Sequence, residues 1–328
     1  MSDRKTHHLG ADSAGCAEAG ALLRAGKLVA FPTETVYGLG ADATNALAVA
    51  GIYEAKGRPR FNPLIIHVSG IEDAMKLAVF SPLAEELARH FWPGPLTLVL
   101  PLREGAPISD LALAGHSSIA LRVPSHPVAR ALIEASRRPI AAPSANRSGH
   151  VSPTLAEHVL EDLDGRIDAV VIGEASDVGV ESTILSLIDE RAVLLRPGGV
   201  TRADLASVLG YEPSLVEPSS DEEALIAPGL LKSHYAPNAS LRLDVHSIQE
   251  GEAALLFGTF RPQGLEKARQ SFNLSPRGDL KEAAATLFSA LRQLDHAGAS
   301  VIAVAPIPDF GLGEALRDRL QRAAAPRE

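Results

Sequence analysis

The sequence predicts an α/β protein of two domains, and three observations carry this. Short apolar runs, such as 27–31 (KLVAF), 96–100 (LTLVL) and 119–123 (IALRV), have the length of buried strands. Alanine-rich or amphipathic segments of helical length separate them. A proline-, serine- and acid-rich stretch at 212–223 (EPSLVEPSSDEE) then interrupts the alternation, which restarts beyond it. At 328 residues the chain also exceeds what one compact core usually holds.

The strand at 27–31 ends at Pro32, which donates no ladder hydrogen bond. Behind it, FPTETVYGLG (31–40) sets three hydroxyls, one carboxylate and two glycines on a strand-to-helix loop, ahead of a helix at 44–56. Ligands often bind such loops in α/β folds. Taken alone, the loop reads equally as a turn with hydroxyl caps. A strand at 64–68 follows. Ser81-Pro82 opens a helix with Leu83, Leu87 and Phe91 on one face. After the strands at 96–100 and 119–123 come a helix at 126–137 and a short strand at 139–143. Ser152-Pro153 opens a helix with Leu155, Val159 and Leu163 spaced by four. Strands at 169–172 and 182–188 follow. Thr201 and Asp204 form a capping-box pattern, and Gly210 marks that helix's end. Domain boundaries are expected at 1–211, a linker at 212–239 and a small αβ domain at 240–328. This last part carries strands at 253–257 and 301–305. Its helices include one bearing Leu280, Ala284, Leu287, Leu291 and Leu294, and another at 313–325.

Hydrophobic residues make up 46% and charged residues 22%, as in ordinary globular proteins. With aromatics at 4%, the core must be mostly Ala, Leu, Val and Ile. A single cysteine, Cys16, cannot build a disulfide framework or a cysteine metal cluster, which suits a reducing cytoplasm. The N-terminal residues lack a signal peptide's apolar core, and no run approaches the roughly 20 residues that span a bilayer. A formal net charge of −9 argues against a broad nucleic-acid-coating surface but leaves room for a local basic pocket.

Such a pocket is suggested by KGRPRFNPL (56–64), with Lys56, Arg58 and Arg60 beside Asn62. On an extended segment Lys56 and Arg58 would share one side, and forked plus point-charge donors suit a polyphosphate. A solvated charge run is the bland alternative. The usual phosphate signatures GxxxxGK[ST] and strand-following GxGxxG are missing, as are HExxH and CxxC. Instead APSANRSG (142–149) offers hydroxyl, amide and backbone donors near a helix start. ESTI (181–184) opens a strand, and Arg196 precedes Pro-Gly-Gly. His67 ends an apolar run, where a lone histidine is more often a sheet residue than a catalyst.

Taken together the pieces resemble the threonylcarbamoyl-AMP synthases in their long form. The matching stretches are PTETVYGLGADA, KGRPRFNPL, FWPGPLTLVL, IALRVPSHPVA, APSANRSG, ESTILSL and LLRPGGVT, in the family's order across most of residues 20–205. PGLLKSHYAP (228–237) is similar to the long form's linker segment. The resemblance implies a YrdC-like three-layer domain with a twisted mixed sheet and a concave ligand face, plus a small Rossmann-like αβ C-terminal domain.

It also implies an L-threonylcarbamoyladenylate synthase, a nucleotidyltransferase. L-threonine, bicarbonate or CO2, and ATP would give threonylcarbamoyl-AMP and pyrophosphate, for tRNA modification by downstream transfer enzymes. No protein nucleophile is needed. By motif, Lys56 and Arg58 would hold the triphosphate, with Asn62 nearby. Ser118, Ser144, Asn146, Ser152 and Arg196 would line the nucleotide site, with Tyr235 folding over it. Thr35, His67, Arg122, Ala142 and Ser182 would bind threonine, Arg122 taking its α-carboxylate. Mg2+ is expected on the triphosphate, held mostly by phosphate and water. Ser118 stands where the family commonly has threonine, and Leu230 where methionine is frequent. A YrdC-type RNA-binding module without synthase activity is the alternative, opposed by the charge and the few aromatics. Hydrogenase-maturation relatives need zinc-finger cysteines that one Cys16 cannot supply. An inactive homologue is opposed by the presence of Lys56, Arg58, Ser144 and Asn146. The expected location is the cytoplasm, with no membrane attachment and no stable nucleic-acid binding.

Overall fold

The computed structural model describes residues 5–189, 191–216 and 234–326. The first part runs β1 (His7–Gly10), α1 (Ser13–Arg24), β2 (Val29–Phe31), β3 (Gly38–Asp42), α2 (Ala46–Lys56), β4 (Ile65–His67), α3 (Ile71–Leu77), α4 (Pro82–Phe91) and β5 (Leu96–Pro101). It continues with a single turn α5 (Asp110–Leu113), β6 (Ser118–Arg122), α6 (Pro127–Ser136), β7 (Ile140–Ala141), α7 (Ala156–Leu163), β8 (Ala169–Ile172), β9 (Thr183–Ser186), β10 (Val193–Arg196), α8 (Arg202–Leu209) and β11 (Ser214–Leu215). Among the described residues these strands form one sheet in the order β1-β8-β2-β3-β7-β4-β6-β5-β9-β10-β11. Parallel and antiparallel neighbours alternate irregularly: β4 and β6 run parallel, while β5 and β6 run antiparallel.

Three layers result from which faces are apolar. Leu39, Ile66, Leu98, Leu121 and Leu185 point to one side of the sheet and pack under α2, α4 and α7 through Ile52, Leu87 and Val159. On the other side α1 and α6 cover only one end, where Leu23, Leu132 and Ile133 meet Val29, Phe31, Ala169 and Val171. The remaining strands meet there in a cluster of Ile65, Val99, Ala120, Ile184 and Leu195, to which no helix contributes.

The second part carries β12 (Ser240–Arg242), β13 (Ala253–Leu256), β14 (Gln270–Asn273), α9 (Leu280–His296), β15 (Val301–Val304) and α10 (Leu312–Ala324). Its strands are all parallel, in the order β12-β15-β13-β14. One apolar cluster crosses from this part to the first, joining Val36, Val151, Val180 and Tyr235 to Phe288, Leu287 and Leu316. Polar ties reinforce it. Arg292 donates to the Val151 carbonyl at 2.6 Å and to Asp162 at 2.8 Å, and the Thr154 and Ser289 hydroxyls lie 2.9 Å apart. Arg202 pairs with Glu314.

Several local signals act as expected. Ser81 caps α4 with Pro82 in its first turn, and Thr201 and Asp204 close a full capping box on α8 before Gly210. Other expectations are corrected. The stretch 33–37 joins two strands, not a strand and a helix, because β3 pairs antiparallel with both β2 and β7. The helix expected from Ser152 begins at Ala156 instead. The Ser152 hydroxyl is taken by Glu181 at 2.6 Å, and the Pro153 and Thr154 carbonyls accept from Tyr37 and Ser176, so 152–154 stays extended. Lys56 and Arg58 do not share one extended segment. Lys56 is the last residue of α2, and Gly57 adopts the left-handed cap at φ 60° that turns the chain away. The first strand and helix, and α3, carried no recognised signal. The linker expected at 212–239 begins within the first sheet, since β11 pairs with β10; residues 217–233 of it lie outside the described residues.

Gly179 marks the tightest approach of the two parts. Its φ is +73°, and a Cβ there would lie 2.3 Å from the Ala284 carbonyl oxygen. Gly179→Ala is expected to lower the thermal unfolding midpoint by several degrees, on the order of 1–3 kcal/mol, by pushing α9 off the first domain. An unchanged midpoint would mean that this contact does not set the docking.

Candidate active site

Side chains alternate along a strand. On β4, Ile66 enters the helix-covered core, so Ile65 and His67 emerge on the open face. Register then sets their neighbours: His67 lies opposite Arg122 on β6, and Thr97 on β5 lies opposite Ile184 on β9. β10 reaches the same face by a bulge. Leu194 pairs with Leu185 and Arg196 with Ile184, so Leu195 and Arg196 both turn toward the open side. With strict alternation Arg196 would follow Leu194 into the core.

Over this face lies a cleft. Of the residues singled out in the sequence, Thr35, Arg58, His67, Arg122, Ala142, Ser144, Ser182, Arg196 and Tyr235 line it. Val36, Ile65, Pro143, Glu181 and His234 complete the wall. At one end, Arg122 donates from Nη2 to Glu34 Oε1 at 2.6 Å and from Nε to the Gly94 carbonyl at 3.3 Å. Glu34 Oε2 accepts from the Ser125 amide. Burial, and then the Arg122 charge, push His67 down to about 3, so its imidazole is neutral. The Thr35 hydroxyl sits 2.9 Å from that of Thr33, and the Ser182 hydroxyl 2.7 Å from that of Thr97.

At the other end Arg58 donates to the Pro63 carbonyl at 3.1 Å and Arg196 to the Ser182 carbonyl at 2.9 Å. Burial pushes Arg58 down to about 10, still a cation at neutral pH. The roof comes from the segment leading into the second domain. Tyr235, at φ 63°, stacks on Phe288 with ring centroids 5.7 Å apart. His234 is held well below its usual range, first by burial and then by Arg58 and Lys56.

Five of the expected residues stand outside the lining. Lys56 Nζ donates to the carbonyls of Ser144 (2.6 Å) and Asn146, bracing the 142–149 loop from behind. Burial, then Arg58, hold Lys56 well below the usual lysine range. The Asn146 amide bonds the Arg147 and His150 carbonyls, and the Asn62 carbonyl accepts from Tyr53 and Arg58. Ser152 bonds Glu181. Ser118 lies at the end of β6 remote from Arg122, opposite Pro101. Sequence reasoning gave no role to Glu34, Glu181 or His234, although each stands inside a quoted motif. Among the described residues no three metal-ligating side chains come together, and no helix is long and apolar enough to cross a membrane.

Comparison with known proteins agrees along the whole chain. A family model described as "Telomere recombination" matches residues 21–198, and one described as "Threonylcarbamoyl-AMP synthase, C-terminal domain" matches residues 200–325. Threonylcarbamoyl-AMP synthase of Bacillus subtilis is 45% identical, the match covering 98% of this chain and 96% of that protein. The synthase of Pyrococcus abyssi is 43% identical, with 93% of each chain covered. Among solved structures, P. abyssi Sua5 complexed with L-threonine superposes with a TM-score of 0.87 at 40% identity, covering 98% of this chain and 97% of that one. An H234A/Y235A variant of P. abyssi Sua5 gives 0.88 at 39% identity, covering 97% and 96%. The chain belongs to the threonylcarbamoyl-AMP synthase family of nucleotidyltransferases.

Proposed function

We propose that the cleft makes threonylcarbamoyl-AMP and pyrophosphate from L-threonine, bicarbonate or CO2, and ATP, in the cytoplasm, for transfer to tRNA by downstream enzymes. One observation carries this reading: a hydroxyl-lined end built around Arg122 and a cationic end built around Arg58 and Arg196 open into the same roofed space. The family relationship and the L-threonine complex of the P. abyssi protein support it.

Arg122 has two guanidinium nitrogens engaged by Glu34 and Gly94, and among the described residues Nη1 has no acceptor. That nitrogen receives the α-carboxylate of threonine. Thr35 and Ser182 then face the substrate hydroxyl, and neutral His67 adds no charge beside the amine. The amine attacks CO2, forming an N–C bond and losing one proton. A carboxylate oxygen of the product attacks the α-phosphorus of ATP as the bond to the β-phosphate oxygen breaks, and pyrophosphate leaves. Arg58 and Arg196 stabilise the charge that gathers on the phosphoryl oxygens. Lys56, Asn62, Asn146, Ser152 and Ser118 are assigned to the nucleotide, Lys56 through the loop it braces. ATP enters as its Mg2+ complex. The oxygens of Glu34 and Glu181 are already engaged, so phosphate and water hold the ion. Tyr235 and His234 keep water from the labile mixed anhydride.

The reading is tested by pyrophosphate release from the full chain with Mg2+–ATP. Release is expected to require both L-threonine and bicarbonate, and release without threonine would reject the synthase reading. Thr35→Ala is expected to raise the threonine KM about tenfold, the scale of one buried hydrogen bond to a charged or polar ligand, with the ATP KM little changed. Arg58→Ala is expected to lower kcat by about 10²–10³, as for loss of one transition-state donor; a wild-type kcat would remove Arg58 from the chemistry.

His67 also makes stability depend on pH. Its folded value of about 3 lies below its ordinary 6.5, so the unfolded chain takes up the proton first as pH falls. The stability tied to neutral His67 is full above about pH 6.5 and is lost as pH drops toward 3. His67→Asn should therefore flatten the fall of the unfolding midpoint across this window, and an equally steep profile in the variant would contradict the assignment.

A further inference from the structure

We propose that Arg319, on the second domain, is a positioning residue for the reaction in the cleft: it neutralises and pins Glu181, a carboxylate that would otherwise oppose the substrates' anionic groups. The inference rests on the synthase reading above and extends it to a residue outside the cleft.

Glu181 lines the cleft and is buried. The reaction brings an α-carboxylate, an N-carboxylate and a triphosphate into that space. A buried carboxylate of the same sign, left uncompensated there, repels them in a low dielectric. Both of its oxygens are engaged. Oε1 accepts from the Ser152 hydroxyl at 2.6 Å, and Oε2 accepts from Arg319 Nε at 2.7 Å. Ser152 brings a hydrogen bond but no charge, so the cation bonded to Glu181 comes from the second domain, with Arg196 of the first acting on it at longer range.

Arg319 is itself completely buried on α10. It shares that helix's apolar face with Leu316, Leu320 and Ala323, where an arginine costs desolvation unless a partner holds it. The same guanidinium lies over the Tyr235 ring, 5.2 Å from its centre, and its Nη1 bonds Asp318. Among the described residues Nη2 is buried without an acceptor. One side chain thus contacts both the cleft carboxylate and the roof. Docking of the two domains does not hang on it alone, because Arg292, Ser289, Glu314 and the apolar cluster act elsewhere.

A purely structural role and a charge-compensating role predict different outcomes. The test measures ATP affinity by calorimetry, and KM and kcat for threonine-dependent pyrophosphate release, on full-length wild type, Arg319→Met and the double variant Glu181→Gln/Arg319→Met. Arg319→Met is expected to weaken ATP binding and raise its KM about tenfold or more, with a smaller change in kcat. Removing the orphaned charge in the double variant is expected to bring both back to within about threefold of wild type. A double variant as impaired as the single one would overturn the proposal, as would an Arg319→Met protein that binds ATP normally. If Arg319→Met does not fold, Glu181→Gln alone decides: it is expected to bind ATP at least as tightly as wild type, and weaker binding would overturn the proposal. Wild-type protein that binds ATP but releases no pyrophosphate would instead reject the synthase reading, leaving the ATP comparison to judge Arg319.

Discussion

Four buried basic side chains around one small space set the terms for the rest of this structure. Lys56, Arg58, Arg122 and Arg196 are only 3%, 8%, 4% and 4% exposed, so none of them relies on bulk water. They also sense one another: Arg58 lowers Lys56, and Arg196 lowers Arg58. Of these four, Arg122 bonds a carboxylate, Lys56 and Arg58 donate to backbone carbonyls, and Arg196 donates to the Ser182 carbonyl with Glu181 and Asp318 acting on it at longer range. Carbonyl oxygens satisfy hydrogen bonds but cancel no formal charge. Cations held in this way favour an anion in the cleft over a neutral or positively charged ligand. An overall charge of −9 does not conflict with this, because the acidic residues lie mainly elsewhere on the surface.

The open sheet face explains why a second domain is needed. Helices α1 and α6 cover one end of the sheet, and among the described residues the end bearing His67, Arg122 and Ser182 has no helix of its own. Tyr235 supplies the cover, and its stacking on Phe288 ties that cover to the core of the second domain. An aromatic pair of this kind adds roughly 0.5–1.5 kcal/mol beyond the area it buries. His234, beside it, stays neutral and so does not add to the cations below.

Much of this was legible in the sequence, for identifiable reasons. Caps are local: Ser81 with Pro82, and Thr201 with Asp204, speak through residues three apart, and both helices start where they indicate. Apolar runs at 96–100 and 119–123 report burial directly, and both are strands. The gathering of Thr35, Arg58, His67, Arg122, Ser144, Ser182 and Arg196 followed from motif resemblance and not from periodicity. What stayed hidden is non-local. Ser152 read as a cap because its tie to Glu181 spans 29 residues. The 33–37 loop read as strand-to-helix because nothing nearby announces that Gly38–Asp42 pairs with Ile140–Ala141. Arg319 left one faint trace, a cation on the apolar side of an amphipathic helix, and its partners lie far away in sequence.

The bulge in β10 has a consequence for how this chain can change length. Because two residues there stand opposite one stride of β9, the odd–even code of the strand is reset between Leu194 and Arg196. An uninterrupted ladder through the same residues would swing the guanidinium of Arg196 from the cleft into the layer of leucines beneath it, whereas deleting Leu195 would leave Arg196 opposite Ile184 on the cleft side. The hairpin turn that joins β9 to β10 lies outside that count and can lengthen or shorten without altering parity. Loss of the one extra residue at the bulge, or a change in the length of the turn, thus leaves Arg196 facing the cleft.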